Sequence, residues 1–209
     1  SATQGGLPVV DRRVNTFALN AEYEFGWGSL VSTSAFQDRD MERVLNGSNF
    51  PENQDTVSEE LRLSFVMSET LDGVVGIYAQ DSEFVRVNPG FAGFTGPSVN
   101  NVDTRSYAVF GEATYALSDH WDVTGGMRFS REEAEVDFAR QAPAGFSFTA
   151  EETFNDLSPK VSLGWQVSPQ HRLYTTVSRG FKPGGFNHAV SSANDVVPYE
   201  SETSTNIEL

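Results

Sequence analysis

The chain contains no cysteine, only two lysines (Lys160 and Lys182), three histidines and no long apolar run. Each shortage narrows what it can be. Without thiols a chain cannot be trapped by wrong disulfides in an oxidising compartment, which suits export without requiring it. Basic residues number 14 against 29 acidic ones, for a net charge of −15. Such a field repels phosphate backbones, so no nucleic acid partner is expected, and its ordinary role is solubility. The longest apolar stretch is Val74–Ala79, interrupted by Gly76. A membrane-spanning helix needs about 20 apolar residues and is excluded. A mean hydropathy of −0.35 does not exclude membrane-spanning strands, which alternate apolar and polar residues and so read as average in polarity.

Chemistry is also sparse. His120 and His171 fall in short connections and His188 in a long one. None has a second histidine at metal-ligand spacing. No G-x-S-x-G elbow, phosphate loop or dinucleotide fingerprint is present. No catalytic residue, cofactor or resident metal is therefore expected, and the chain does not read as an enzyme. It begins at Ser1 without a charged leader or apolar export segment, and is expected to be cut from something longer.

What is present is strand pattern. Segments rich in Val, Phe, Tyr, Thr and Leu run over Val14–Phe25, Ser29–Met41, Val57–Val66, Gly73–Val87, Thr104–Leu117, Trp121–Arg140, Phe154–Val167, Arg172–Phe181 and Glu200–Leu209. No window carries a capped helical stripe. These features predict an all-β chain, an antiparallel up-and-down meander of nine long strands. The connections alternate. Gly26–Gly28, Met67–Asp72, Ser118–His120 and Ser168–His171 are short, whereas Glu42–Thr56, Asn88–Asp103, Gln141–Thr153 and Lys182–Tyr199 are long. Short turns at one end and long loops at the other are the pattern of a transmembrane β-barrel, with the short turns periplasmic.

The aromatics agree. Trp27 lies in a short turn, Trp121 directly after one and Trp165 just before one. With Tyr115, and with Tyr23, Phe25 and Phe65, they predict a girdle at the periplasmic interface. Phe36, Phe84, Phe129 and Phe181 are expected near the opposite interface. Alternation puts Val57, Leu61, Leu63 and Phe65 on one face of their strand, against Ser58, Glu60, Arg62 and Ser64. Tyr107, Val109, Gly111, Ala113, Tyr115 and Leu117 oppose Phe110, Glu112 and Thr114 in the same way, and Trp121, Val123, Met127 and Phe129 oppose Asp122, Thr124, Arg128 and Ser130. The apolar sets are expected to face lipid and the polar sets a wet lumen. Strands Ser29–Met41 and Gly73–Val87 do not resolve. With short turns periplasmic, Ser1–Arg13 become the remnant of an extracellular loop. The odd strand number, unlike the even counts of bacterial single-chain barrels, places both termini inside a larger barrel.

Two segments carry a family resemblance. Leu173–Asn187, LYTTVSRGFKPGGFN, resembles the Y-x-x-x-S-x-G-F-K-x-G-G-F-N segment of TonB-dependent receptors. Pro198–Leu209, PYESETSTNIEL, is similar to their P-E-x-x-x-x-E-L-G strand start, with Ser201 where proline is common. Ser58–Phe65, Ser106–Glu133 and Leu157–Ser168 also look like barrel strands of that family. The resemblance implies a 22-stranded barrel in the outer membrane of a Gram-negative bacterium, closed by a separate plug. It implies energised uptake of a scarce nutrient such as a ferric siderophore. The implied partners are outer-membrane lipid, a small-molecule nutrient such as an iron complex, and the TonB complex. The last would act only through a plug and TonB box that this stretch does not show. The whole of 1–209 would then be barrel, able to supply wall, lumen lining and loops but not the gate. The alternative is a soluble or surface-attached β-rich binding or adhesion module.

The candidate lumen-lining charges are Arg62, Glu112, Arg128 and Lys160. They would either contact the plug and the substrate path or merely pair across neighbouring strands, the commoner fate of such residues. Gly90–Gly96 and Pro183–Phe186 place aromatics in long loops that could cap a ligand, although loop packing explains them as well. The run Arg131–Asp137 reads most simply as a solvated strand extension.

Overall fold

The computed structural model describes residues 9–45, 47–90, 95–187, 192 and 197–209. They form nine antiparallel strands in one sheet, ordered as in the chain and not closed on itself. The strands are β1 (Val9–Phe25), β2 (Gly28–Leu45), β3 (Ser48–Ser68), β4 (Leu71–Asn88), β5 (Ser98–Ser118), β6 (Trp121–Arg140), β7 (Phe146–Ser168), β8 (His171–Lys182) and β9 (Glu202–Glu208). The expected all-β meander is the observed fold. β1 begins four residues before Arg13, and Ser1–Pro8 lie outside the described residues.

At one end, every connection is a two-residue turn, and three share one construction. Ser68, Ser118 and Ser168 each accept a backbone N–H two residues on, from Thr70, His120 and Gln170. This side-chain turn replaces a backbone one. Each sits at a register shift that twists the strand end. The N–H of Val66, Ala116 and Gln166 then donates to a carbonyl of the preceding turn. The turns are thereby stitched edge to edge.

At the other end, three of the predicted long loops are in large part strand. β3 starts at Ser48, β5 at Ser98 and β7 at Phe146, so Glu42–Thr56, Asn88–Asp103 and Gln141–Thr153 shrink to much shorter crossings. Their polar composition suggested loop. A strand that projects beyond an apolar zone meets water and needs no apolar outer face, so composition misleads there.

The register resolves both faces of every strand from β1 to β7. Leu61, Ile77, Val109, Phe129 and Leu157 lie in one cross-strand row, and Leu63, Val75, Gly111, Met127 and Pro159 in the next. This apolar face is exposed: Ile77 is 54%, Val109 60% and Val161 56% accessible. In β2 it carries Leu30, Ser32, Ser34 and Phe36, and in β4 Val75, Ile77 and Ala79.

Moving toward the long-connection end, the pattern inverts. On β6 the odd positions change from Phe129 to Arg131, Glu133, Glu135 and Asp137, while the even positions become Ala134, Val136 and Phe138. The same change follows Phe17, Phe36, Val57, Ala79, Tyr107 and Leu157, whose next same-face residues are Asn15, Asp38, Asp55, Asp81, Arg105 and Asn155. Beyond that line the apolar residues turn to the other face. Val102, Ala134, Val136 and Phe186 cluster there with Phe84, Phe148, Ala150 and Phe154 against them. Phe84 therefore belongs to this inner cluster and not to an outer girdle. Its even number puts it opposite Ile77 and Ala79.

The chain after β8 completes the cluster. Pairing of β7 with β8 ends at Lys160–Ser178, beside Pro159, which has no N–H for a ladder. Above it Arg179 reaches Asp156 at 3.0 Å instead. The segment Pro183–Asn187 then crosses the inner face and buries Phe186 to 3% exposure. Gly184 and Gly185 allow this close approach. A Cβ at Gly184 would collide with the Tyr199 carbonyl oxygen and the Phe154 ring, and one at Gly185 would lie 2.7 Å from the Tyr199 hydroxyl.

Phe138, at 2% exposure, stacks with Phe148 at 5.5 Å. Phe138→Ala should cost about 3 kcal/mol of unfolding free energy, measured by denaturant titration of the complete protein. A change below about 1 kcal/mol would show that the inner-face packing of Phe138 does not support the sheet.

Candidate functional site

The four charges singled out in the sequence share the inner face. Arg62, Gly76, Phe110, Arg128 and Ser158 form one row; Val74, Glu112, Gly126, Lys160 and Ser178 form the next. Lys160 Nζ donates to Glu112 Oε2 at 2.8 Å. Arg128 lies over the rings of both Tyr78 and Phe110, 5.6 and 5.5 Å from their centroids, and its Nε donates to Ser130 Oγ. Arg62 approaches Glu60 at 3.7 Å. These side chains thus pair with neighbours on the sheet and form a wall rather than a closed pocket.

The aromatics expected at a membrane interface sit on the opposite face or in the turns. Trp121 stacks on Trp165 at 5.2 Å with rings nearly parallel, Phe25 stacks on Trp27 at 5.3 Å, and Tyr115 lies in the apolar row with Leu71 and Val123. Tyr23 and Phe25 continue the band.

A more enclosed site lies on the inner face beyond the inversion line, under the Pro183–Asn187 crossing. Its cavity of about 410 Å³ is lined among others by Arg39, Arg43, Arg86, Glu52, Phe84 and Phe186. Glu52 is 6% exposed and is reached by Arg43 at 3.2 Å and by Arg86 at 3.5 Å. Two guanidiniums on one buried carboxylate leave net positive charge. Arg39 adds to it, lying 5.9 Å over the Phe84 ring, and its buried Nε has no hydrogen-bond partner among the described residues. Three of the twelve arginines of an acidic chain therefore converge on one cavity. Chemically it offers donors to an anion and apolar ring surface to any aromatic group the anion carries.

Sequence reasoning missed these residues because Glu42–Thr56 read as loop and the facing of β2 and β4 did not resolve. Arg39, Met41 and Arg43 at spacing two were the available signal. Of the loop candidates, Phe186 is packed inward, whereas Phe91–Phe94 and His188 lie outside the described residues. Along Arg131–Asp137, Arg131 pairs with Glu133 at 2.7 Å. Among the described residues, no group of three or more His, Asp or Glu side chains could hold a metal ion.

Glu132 also lines the cavity. Burial pushes its carboxyl above the usual range, opposed by a hydrogen bond from Ser106 Oγ at 2.8 Å. The folded chain then holds this proton more tightly than the unfolded chain. The resulting penalty is absent below the ordinary carboxylate range and complete above the raised folded value, so stability falls as pH rises between them. Glu132→Gln should therefore stabilise the complete protein at about pH 8 and be neutral at about pH 4. Denaturant midpoints at both pH values check the sign.

A family model described as TonB dependent receptor-like, beta-barrel matches residues 2–209. The pesticin receptor of Yersinia pestis is 27% identical over 97% of this chain, which covers 31% of that protein. The crystal structure of the ferric yersiniabactin uptake receptor FyuA from Yersinia pestis superposes with a TM-score of 0.87 at 22% identity, over 96% of this chain and 33% of that one. The open form of the ferric-catecholate import receptor Fiu from Escherichia coli gives a TM-score of 0.71 at 12% identity, covering 83% and 36%. The chain thus spans about a third of the length of these relatives. It belongs to the TonB-dependent receptor-like β-barrel family.

Proposed function

We propose that this chain is barrel wall in an outer-membrane transporter that takes up a ferric chelate, and that the arginine-lined cavity is part of its outer recognition site. The observation that carries the reading is the inversion line. Below it each strand from β1 to β7 turns exposed apolar residues to one side, and above it the same side is mostly polar or charged, with Val85, Val87 and Val99 as exceptions. An apolar zone whose edge moves by no more than two residues between neighbours on seven strands is the surface that tilted strands present to a bilayer. A soluble binding module would have no reason to expose it.

The inner face is then the lumen. Arg62, Glu112, Arg128 and Lys160 line its membrane-level half, where they would meet a plug or the passing substrate. Coupling to the TonB complex would run through such a plug. Arg39, Arg43 and Arg86 stand nearer the outside, where a ligand arrives. Excess positive charge beside Phe84, Phe186 and Tyr199 suits an anionic chelate bearing aromatic groups. Catecholate and phenolate iron complexes have that chemistry, and relatives named for ferric yersiniabactin and ferric catecholates support the choice.

Arg39→Gln in the complete receptor should weaken binding of a ferric tris-catecholate about tenfold, the worth of one charge-assisted hydrogen bond. Binding of a neutral ferric hydroxamate should not change. Equilibrium binding to outer-membrane preparations measures both. Equal affinity of variant and wild type for the catecholate would remove the cavity from the recognition site.

A further inference from the structure

Two carboxylates line the arginine cavity, and they differ in their partners. Glu52 has the guanidiniums of Arg43 and Arg86 at 3.2 and 3.5 Å. Glu132 on β6 forms no ion pair among the described residues. Ser106 Oγ donates to its Oε2 at 2.8 Å, which leaves Oε1 for the cavity. Glu132 also stands at the short-turn end of the cavity, where its cross-strand partners are Ser106 and Phe154. Val136, four residues farther along the same face of β6, shares a row with Val102, Phe84, Gln54 and Arg39. An anion drawn in by the arginines therefore has Glu132 beneath it.

The other titratable and charged groups around Glu132 have partners of their own. On β7, Asp156 is held by Arg179 at 3.0 Å and by Ser158, and Glu152 accepts the N–H of Thr153. On β6, Arg128 lies over the rings of Tyr78 and Phe110. The Tyr199 hydroxyl lies against Gly185. From β4 and β5, Gln80, Ser82, Thr104 and Ser106 face Glu132, and none of them titrates. With both carboxylates ionised, Arg39, Arg43 and Arg86 leave the cavity one net positive charge; with Glu132 protonated they leave two. Protonation also turns an acceptor that repels an anion into a donor that can bind one. Burial already favours the proton, holding the carboxyl above the usual range against the bond from Ser106.

We propose that Glu132 binds the anion in its protonated form and donates its carboxyl O–H to it, so that each anion bound takes one proton from solvent. A neutral ligand gains nothing from the lost charge, so the proton sharpens selection for anions. Affinity is fully present while the free receptor holds the proton and falls as pH rises beyond that. The inference rests on the recognition site proposed for this cavity.

The test is calorimetric titration of the complete receptor with a hexadentate ferric tris-catecholate, in phosphate and in Tris at the same pH. The buffers differ in ionisation enthalpy, so the difference in heat counts the protons taken up on binding. At about pH 7.5 wild type should take up about one proton more than Glu132→Gln, and the variant should bind about tenfold more tightly. At about pH 5 the two should agree in both readings. Ser106→Ala removes a bond that favours the ionised form, so its affinity should begin to fall at a higher pH than that of wild type. An equal proton count in wild type and Glu132→Gln, or a glutamine variant that binds more weakly at both pH values, would overturn the proposal. Arg39→Gln in the same titration separates this from the reading beneath it. Weaker binding by that variant with an equal proton count for Glu132→Gln refutes the role of Glu132 alone. Binding unaffected by either variant refutes the recognition site as well.

Discussion

Each strand of this sheet must satisfy two surroundings in succession, and the rest of the structure follows from that constraint. A strand has two faces and a period of two, so it can present an apolar row to one side only. In the segment near the short turns that row points outward and is exposed. Beyond Phe17, Phe36, Val57, Ala79, Tyr107, Phe129 and Leu157 it points inward and is buried. The hydrophobic effect acts throughout, and with the exposed zone in a bilayer, as proposed, the apolar surroundings would lie outside below that edge and inside above it.

This inversion explains why the chain has so small a packed core and where that core lies. With the exposed apolar zone in a bilayer, as proposed, only the outward extensions would have water on their outer side, and it is there that inward packing buries apolar area. Val136 and Phe138 are the largest fully buried side chains, and both stand on the extension of β6. Their cluster also needs a lid. The break in the β7–β8 ladder beside Pro159 frees the chain to turn inward, and the two glycines let it lie flat enough for Phe186 to seat. The same crossing forms one wall of the arginine cavity, so the packed cluster and the proposed recognition site share a device.

Charge is distributed by the same logic. The outer faces above the line are mixed and solvated, as the Arg105–Asp81 and Arg131–Glu133 pairs show. On the inner face, charges either pair within the wall, as Lys160 with Glu112, or gather in excess, as the guanidiniums around Glu52. Excess of one sign in a cavity costs free energy unless a ligand of the opposite sign repays it, which favours the recognition site proposed there. Glu59 stands at the edge of the apolar face, next to Asp81, with its oxygens accepting from Ser32 and Ser34.

The sequence by itself determined the strand class, the number of strands and the short turns, because period-two alternation and turn chemistry are local. It also placed Arg62, Glu112, Arg128 and Lys160 on one face, since parity along a clean strand is local too. The family segment LYTTVSRGFKPGGFN was equally legible as residues, but nothing in it revealed that Phe186 turns inward. Tertiary structure decided the facing of β2 and β4, whose apolar rows are interrupted by serines in one and accompanied by Tyr78 and Phe84 on the opposite face in the other. It decided that polar stretches such as Glu42–Thr56 extend as strand, because water on the outside removes the apolar signal that sequence reading relies on. And it assembled Arg39, Arg43, Glu52 and Arg86 from three strands. Cross-strand register is set by pairing and turn geometry together, so a site built across it has no linear pattern to be read.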